Sequence, residues 1–339
     1  MVRLSALGDV VLAQAAVAAL RRHLPQAQIS WLIDRRFARV AEQVPGVTAL
    51  PVDKPRGPVG YLRLWRRLRA LRFDTVLAMQ ASARVNLIYA GIRAPRTIGF
   101  DRRRARDGHQ WCITEAIDRR DEHLLDGFFQ FVQRLGVPAG QTVAWPRLDA
   151  PAAEAFWGGL NLRGPYVVVH TGTSKAERCW PAHRYGELAV SFSANPALPV
   201  VLTGGTSPAE QSAATAFLTE CPRALNLCGK TDLDQLRILL RHASVLVSPD
   251  TAAVHLARVE DTPVVGLYAV ARPELSGAYQ ANHYTVNAYP DAVRDLAHRD
   301  PDTVGWHFRV HHPEAMTLIA ARTVWSRVEN ALLDQARRN

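Results

Sequence analysis

The chain has 339 residues, 48% of them hydrophobic and 21% charged, and 41 Lys and Arg against 31 Asp and Glu give a net charge of +10. That length accommodates two domains with separate cores, and the composition is that of an ordinary soluble globular enzyme. No apolar run is long enough to cross a bilayer and no signal peptide opens the chain, so the expected location is the cytoplasm. The four cysteines, Cys112, Cys179, Cys221 and Cys228, lack metal-type pairing and read as free thiols.

In chain order, Leu4-Ser5-Ala6-Leu7-Gly8-Asp9 precedes a helical pattern expected over residues 10–23. Gly8 permits a tight turn or close ligand approach, and Asp9 sits where a helix N-cap would. Asp9 is therefore either a plain cap or a general base towards an acceptor hydroxyl. Strands are expected near 29–33 and 75–79 and a helix near 60–71. Two arginine clusters follow, one of Arg63, Arg66, Arg67, Arg69 and Arg72 and one of Arg102, Arg103, Arg104 and Arg106. Arginine forks bind phosphates bidentately, whereas a solvated helix face accounts for the first cluster equally well. Residues 99–120 read as a long polar loop, the kind that in a compact domain is functional or mobile. Gly, Pro and Ala concentrate over 139–165, the expected linker.

A second α/β run begins with the strand at 166–169, and alternating strands and helices predict parallel sheets covered on both faces. A hydroxyl-rich loop follows, with Thr171, Gly172, Thr173, Ser174, Lys175 and Arg178 ahead of Trp180-Pro181. Its hydroxyls can donate to phosphate oxygens and its cations neutralise them, although a solvated loop uses the same residues. The strand at 199–203 ends in Gly204-Gly205, and Glu210 lies shortly into the next helix. Glu210 suits a ribose hydroxyl pair, and it equally suits a first helical turn for dipole reasons. Asn226 to Thr231, which includes Lys230, ends another strand. The segment 243–268 reads as a strand, the polar loop Ser248-Pro249-Asp250-Thr251, a helix from Ala252 to about residue 259, and a strand at 263–268. A loop that leaves a strand and opens a helix presents unpaired N–H groups at a positive dipole end, which suits phosphate, and Asp250 and His255 add hydroxyl- and proton-binding groups. Residues 313–336 read as a terminal helix. The chain carries no P-loop sequence, no H-E-x-x-H, no Gly-x-Ser-x-Gly elbow and no G-x-G-x-x-G fingerprint.

Together these segments resemble the ADP-heptose lipopolysaccharide heptosyltransferases of glycosyltransferase family nine, over nearly the whole chain. The most specific match is S-P-D-T-x-x-x-H at 248–255 followed by A-x-x-x-x-T-P-V-V at 257–265, and the pattern is most like members that add the first inner-core heptose. The resemblance implies an α/β GT-B fold, two Rossmann-like doubly wound lobes facing a central cleft. Residues 1–155 would bind the acceptor, 156–312 the sugar nucleotide, and 313–339 would form a helix able to pack back on the N-terminal domain. It implies Asp9 as catalytic base. It implies donor binding by Thr171, Gly172, Thr173, Lys175, Arg178, Glu210, Lys230, Asp250, Thr251, Ala252 and His255, with Arg178 on phosphates, Asp250 on heptose hydroxyls and Glu210 on ribose. Acceptor contacts would come from Ser5, Gly8, Arg56, Arg66, Arg67, Arg102 and Arg103. No metal and no cofactor are implied. The partners would be an ADP-sugar donor and a phosphorylated Kdo-lipid A acceptor at the inner membrane surface, with no nucleic acid, and the protein would be monomeric and peripheral to that membrane. Two departures stand out. Ala252 occupies a usual glycine position, where its methyl is expected to narrow the approach to the diphosphate, and Ala269-Val270-Ala271-Arg272-Pro273 replaces the familiar Gly-Pro-Thr-Asp-Pro turn.

The function expected is inverting transfer of heptose from ADP-L-glycero-D-manno-heptose to the Kdo-lipid A inner core. A sugar-nucleotide epimerase or hydrolase of the same fold, and a catalytically silent sugar-nucleotide-binding protein, are the alternatives.

Overall fold

A computed structural model describes residues 1–162 and 164–337. The chain divides into two compact units, Met1–Arg147 and Leu148–Asn339.

In the first unit five short strands run parallel: β1 (Ile29–Asp34), β2 (Val47–Val52), β3 (Thr75–Leu77), β4 (Arg96–Gly99) and β5 (Glu115–Ala116). β1 pairs with β2, and β3, β4 and β5 form a second row. The opening residues join the two rows, because Val2 bridges Leu32 of β1 on one side and Ala78, just past β3, on the other. Counting that stretch as the first strand, the order is third-second-first-fourth-fifth-sixth, the doubly wound arrangement. The helices are α1 (Leu7–His23), α2 (Ala38–Glu42), α3 (Gly57–Arg69), α4 (Ala83–Tyr89) and α5 (Leu124–Gln133). α1 is apolar all round and buried from Val10 to Leu20, as a central helix must be. Its one buried polar side chain in that stretch, Gln14, donates to the Val40 carbonyl at 2.6 Å and to Gln43 Oε1 at 3.1 Å.

Among its described residues the second unit holds six parallel strands, β6 (Val167–His170), β7 (Val200–Thr203), β8 (Leu225–Asn226), β9 (Val245–Pro249), β10 (Val264–Tyr268) and β11 (Val286–Asn287), in the order β11-β10-β9-β6-β7-β8. Runs of β-branched residues such as Val167-Val168-Val169 suit strands covered on both faces, and each of those three is 0% exposed. The winding reverses between β6 and β9, so this is the same doubly wound order. The helices are α6 (Pro151–Gly159), α7 (Ala182–Ser193), α8 (Pro208–Glu220), α9 (Leu233–His242), α10 (Ala252–Val259), α11 (Pro273–Ser276), α12 (Tyr289–Asp291) and α13 (Ala321–Ala336). Among the described residues no helix is long and apolar enough to cross a membrane.

Three features differ from the expectations. The division falls at Arg147/Leu148 rather than 155/156, because α6 packs on α9: Leu148, Ala153 and Ile238 share a small core and Trp157 stacks on His242 with ring centres 3.8 Å apart. The terminal helix starts at Ala321 rather than 313, because 315–318 forms a separate tight turn with Ala315 and Met316 buried, and the Ile319 carbonyl that follows accepts from Trp180 Nε1 at 3.0 Å. Its apolar face, Val324, Val328 and Ala331, belongs to the core of the second unit, with Trp325 edge-on to Phe192. Finally, residues 99–120 are not an open loop. They contain β5 and a tight turn, His109–Cys112, whose His109 is fully buried.

His109 uses both ring nitrogens in its neutral form: Nε2 accepts from the Phe100 N–H at 3.2 Å, so Nδ1–H donates to Asn86 Oδ1 at 3.0 Å. Burial lowers its pKa from 6.5 to about 4. The unfolded chain therefore takes up a proton at this residue between those values while the fold does not. Stability is full above pH 6.5 and is lost as the pH falls from 6.5 towards 4, by up to about 1.4 kcal/mol per pH unit for this group. Denaturant midpoints measured across that window should fall, and His109→Gln should reduce the slope while lowering the midpoint at neutral pH.

Candidate active site

In an open parallel sheet the loops leaving adjacent strands part where the winding reverses, and the carboxyl ends there face an uncovered crevice. In the second unit those strands are β6 and β9, and their loops are tied to each other. Arg178 Nη1 lies 2.8 Å from Asp250 Oδ2, both side chains largely buried at 15% and 8% exposed. Thr173 Oγ1 donates to the Asp250 carbonyl at 3.4 Å and accepts from the Lys175 N–H at 3.3 Å. Ser276 Oγ donates to Asp250 Oδ2 at 3.3 Å, and its own carbonyl accepts from the buried Tyr268 hydroxyl at 3.2 Å. Burial, with the Asp250 charge added, raises the Tyr268 pKa well above its ordinary value, so it stays a donor. Arg178 retains a buried Nε without a hydrogen-bond partner. A guanidinium and a carboxylate are thus preset side by side, one suited to an anion and the other to hydroxyls.

The loops after β6 and β7 are joined by Glu210. It occupies the third position of α8 in a capping box: Oε2 accepts from the Ser207 N–H (3.0 Å) and hydroxyl (2.6 Å), and Oε1 from the Gly205 N–H (2.6 Å). Burial raises its pKa, but the hydrogen bonds from Ser207 and Gly205 outweigh this and leave it below the usual carboxylate range. Gly172 is glycine because a Cβ there would land on the Glu210 side chain. Thr171 is buried, with its N–H and hydroxyl both directed at the Thr203 carbonyl (2.8 and 3.3 Å), so its hydroxyl acts within the fold. Burial lowers the pKa of neighbouring His170 to about 4, so at neutral pH it is an uncharged ring against Thr203 Oγ1, 2.9 Å away.

α10 begins at Ala252 with Thr251 as its N-cap, and the Thr251 side chain makes no capping bond, which leaves the Ala252 end of the helix suited to an anion, while the Val254 N–H already donates to the Thr251 carbonyl at 3.2 Å. Ala252 needs no positive φ, which is why a methyl is tolerated in a place where glycine was expected. His255 is buried in the same helix at 6% exposed. Lys175 and Lys230 are exposed at the rim, with Lys230 Nζ donating to the Asn226 carbonyl at 3.1 Å. The Ala269–Ala271 turn is apolar because it is core: its residues are at most 2% exposed, and the Val310 N–H donates to the Val270 carbonyl at 2.9 Å. Beyond it, at the β10–β11 edge, Arg272, Tyr289, Arg294 and Arg299 line a separate cavity of about 620 Å³.

The first unit repeats the device. Its reversal lies between the opening strand and β3, and the loops there are Ser5–Asp9 and the stretch after Met79. Gln80 Oε1 accepts from the Leu4 and Ser5 N–H groups at 2.8 and 3.3 Å. Asp9 is the third residue of α1, not its N-cap, and accepts from the Ala6 N–H at 3.3 Å. Gly8 accordingly lies inside the helix and not in a tight turn before it. Asp9 is ion-paired with Arg3, whose guanidinium also donates to the Met79 carbonyl at 2.6 Å and sits 5.2 Å over the Phe128 ring. A basic groove of about 820 Å³ opens at the carboxyl ends of β1 and β2, lined by Arg35, Arg36, Lys54, Arg56, Arg63 and Arg67 among others. Arg66, Arg102 and Arg103 are exposed and do not line it. Arg104 is instead structural, ion-paired with Asp101 and Glu122. Arg3, Gln80, Arg35, Arg36 and Lys54 escaped the sequence reading. A lone arginine between Val2 and Leu4 in an otherwise apolar strand was the available signal for Arg3.

A model of glycosyltransferase family 9 (heptosyltransferase) matches residues 61–299, the greater part of the chain. The chain belongs to that family. Its relatives include the lipopolysaccharide core heptosyltransferase OpsX of Haemophilus influenzae, 29% identical over 330 residues covering 96% of this chain and 94% of that protein. Among solved structures it is similar to the family 9 glycosyl transferase of Veillonella parvula DSM 2008 (TM-score 0.78, 21% identity, 98% and 96% covered). It is also similar to the E. coli heptosyltransferase WaaC with ADP (TM-score 0.72, 20% identity, 97% and 98% covered). These structures share the α/β GT-B fold, so the family 9 membership and the doubly wound order of each unit agree. Among the described residues no group of three or more His, Cys, Asp or Glu could hold a metal ion.

The tie between Gly172 and Glu210 gives a test within one unit. Gly172→Ala should destabilise the protein by about 1–3 kcal/mol, because the methyl must displace a hydrogen-bonded carboxylate. Gly158→Ala, in α6 with open space around it, should instead stabilise by about 0.5–1 kcal/mol. Urea denaturation of both variants decides; equal effects would mean the Glu210 side chain simply moves aside.

Proposed function

We propose that the protein is an inverting heptosyltransferase that moves heptose from ADP-L-glycero-D-manno-heptose to the Kdo-lipid A inner core of lipopolysaccharide. The observation that carries this reading is the Arg178–Asp250 pair set beside the open N-terminus of α10 at the reversal of a doubly wound sheet in a family 9 chain. Arg178 and the first-turn N–H groups of α10 take the diphosphate, and Asp250 takes sugar hydroxyls. Thr173, Lys175, Thr251 and His255 complete the donor loops, and Glu210 meets the ribose with the lone pairs its cap leaves over. The names of the relatives support the donor and pathway, since OpsX is a lipopolysaccharide core heptosyltransferase and WaaC was solved with ADP.

Asp9 is the base in this reading. Its carboxylate accepts the proton of an acceptor hydroxyl as that oxygen bonds to the anomeric carbon, and the bond from that carbon to the diphosphate oxygen breaks with its electron pair leaving on ADP. Arg3 fixes the direction of the carboxylate. Arg178 and the α10 dipole stabilise the departing charge, a role a metal ion fills in other transferases. The basic groove of the first unit holds the phosphorylated acceptor, with Arg56 and Arg67 on its phosphates. The protein works as a monomer on the cytoplasmic side of the inner membrane.

Asp9→Ala should keep ADP affinity within about twofold and lose transfer by ~10²–10⁴-fold, the usual contribution of a general base. Isothermal titration with ADP and a transfer assay on a Kdo-lipid A acceptor read the two effects separately. Near-normal turnover in Asp9→Ala would remove the base, and tighter binding of UDP- or GDP-sugars than of ADP-sugars in a thermal-shift panel would remove the donor.

A further inference from the structure

The positive charge of this chain is concentrated in one place. From Lys54 to Arg106 there are 14 Lys and Arg against two Asp and no Glu, so this stretch alone carries +12 while the whole chain carries +10. The remainder is slightly acidic, so the basicity is a local feature.

The fold lays much of that stretch on one surface. Tyr61 Oη donates to the Arg84 carbonyl at 3.2 Å and Trp65 Nε1 to the Leu87 carbonyl at 2.8 Å, which fastens α3 to α4. Asn86 of α4 donates to the carbonyls of Arg106 and Asp107 at 2.8 and 2.9 Å, which fastens the 106–111 turn to the other side of α4. α3 buries Leu64 and Leu68, so at 100° per residue Val59, Leu62 and Arg66 point directly away from the core. α4 exposes Arg84 and Leu87 one turn apart.

That surface is apolar as well as basic. Val59 is 67% exposed, Leu62 43%, Leu87 51% and Trp111 84%, four of the seven large exposed hydrophobics among the described residues. The Trp111 indole lies over Gly108, where an added Cβ would come within 2.7 Å of the ring. A single exposed apolar residue needs no explanation, but a cluster does, and one interleaved with arginines fits the polar–apolar boundary of a bilayer. Tryptophan is the side chain most at home there, with an apolar body and a polar N–H. A second copy of the chain is disfavoured because two faces of this charge would repel, and a nucleic acid has no use for Val59, Leu62 and Leu87.

We infer that the face formed by α3, α4 and the 106–111 turn docks on an anionic lipid bilayer. Trp111, Val59, Leu62 and Leu87 enter the headgroup region while Arg69, Arg84 and Arg106 meet lipid phosphates. Docking requires only anionic headgroups, so it stands independently of the acceptor and donor proposed above.

The test is sedimentation of the full chain with phosphatidylcholine vesicles, with and without phosphatidylglycerol and free of any lipopolysaccharide precursor. The protein should bind the anionic vesicles, and more weakly as salt rises. Trp111→Ala should weaken binding about tenfold, and Arg69→Gln or Arg84→Gln about fivefold each, with circular dichroism unchanged. Transfer to a water-soluble acceptor without acyl chains should be unaffected by Trp111→Ala, which separates docking from catalysis. Vesicle binding that persists in a protein with no transferase activity would uphold the docking face and sink the enzymatic reading. Indifference to phosphatidylglycerol, or wild-type binding by Trp111→Ala, would overturn the docking face.

Discussion

A parallel sheet wound outward in both directions from its first strand cannot cover its own carboxyl edge where the winding reverses, because the crossovers on either side leave in opposite directions. The candidate chemistry in this chain follows from that constraint. In the second unit the reversal separates β6 from β9, and their loops place Arg178 beside Asp250. In the first unit it separates the opening strand from β3, and the loop there leads into α1 and Asp9. The surrounding structure serves mainly to hold these loops in fixed conformations.

Polar groups at both reversals are fastened by partners that also fix their direction. Asp250 is held by Arg178 and Ser276, and Ser276 by Tyr268. Glu210 is held by Ser207 and Gly205 and excludes any side chain at Gly172. Asp9 is held by Arg3, and the backbone before it by Gln80. Each carboxylate is buried only so far as its donors satisfy it, the condition under which a charge can sit near an apolar core.

The legible parts of the sequence were those where local chemistry and local structure coincide. Ser248 to His255 could be read because the strand, cap and helix signals fall within a dozen residues, and the runs at 166–169 and 264–268 are buried strands with no competing pattern. β4 and β5 were not legible: they are four and two residues long and carry Arg96 and Glu115, whose ion pair spans the two strands and cannot be read from either one alone. Glu210 illustrates the limit differently. Ribose contact and a first-turn place favoured by the helix dipole were equally compatible with its position, and neither signals the bonds that Glu210 accepts from Ser207 and Gly205. The Arg35, Arg36 and Lys54 side of the basic groove is gathered from two strand ends about 20 residues apart, so only the sheet register brings it together.

The central claim is that nucleotide binds at the β6–β9 reversal of the second unit. Hydrogen exchange of the wild-type protein with and without ADP measures this directly, since bound ligand slows exchange where it orders backbone amides. Slower exchange at residues 171–178 and 250–255, and at 205–210 where Glu210 meets the ribose, is the expected result. Protection centred instead on residues 272–302, around the Arg272 cavity, or within residues 1–147 with 171–178 unchanged, would contradict it.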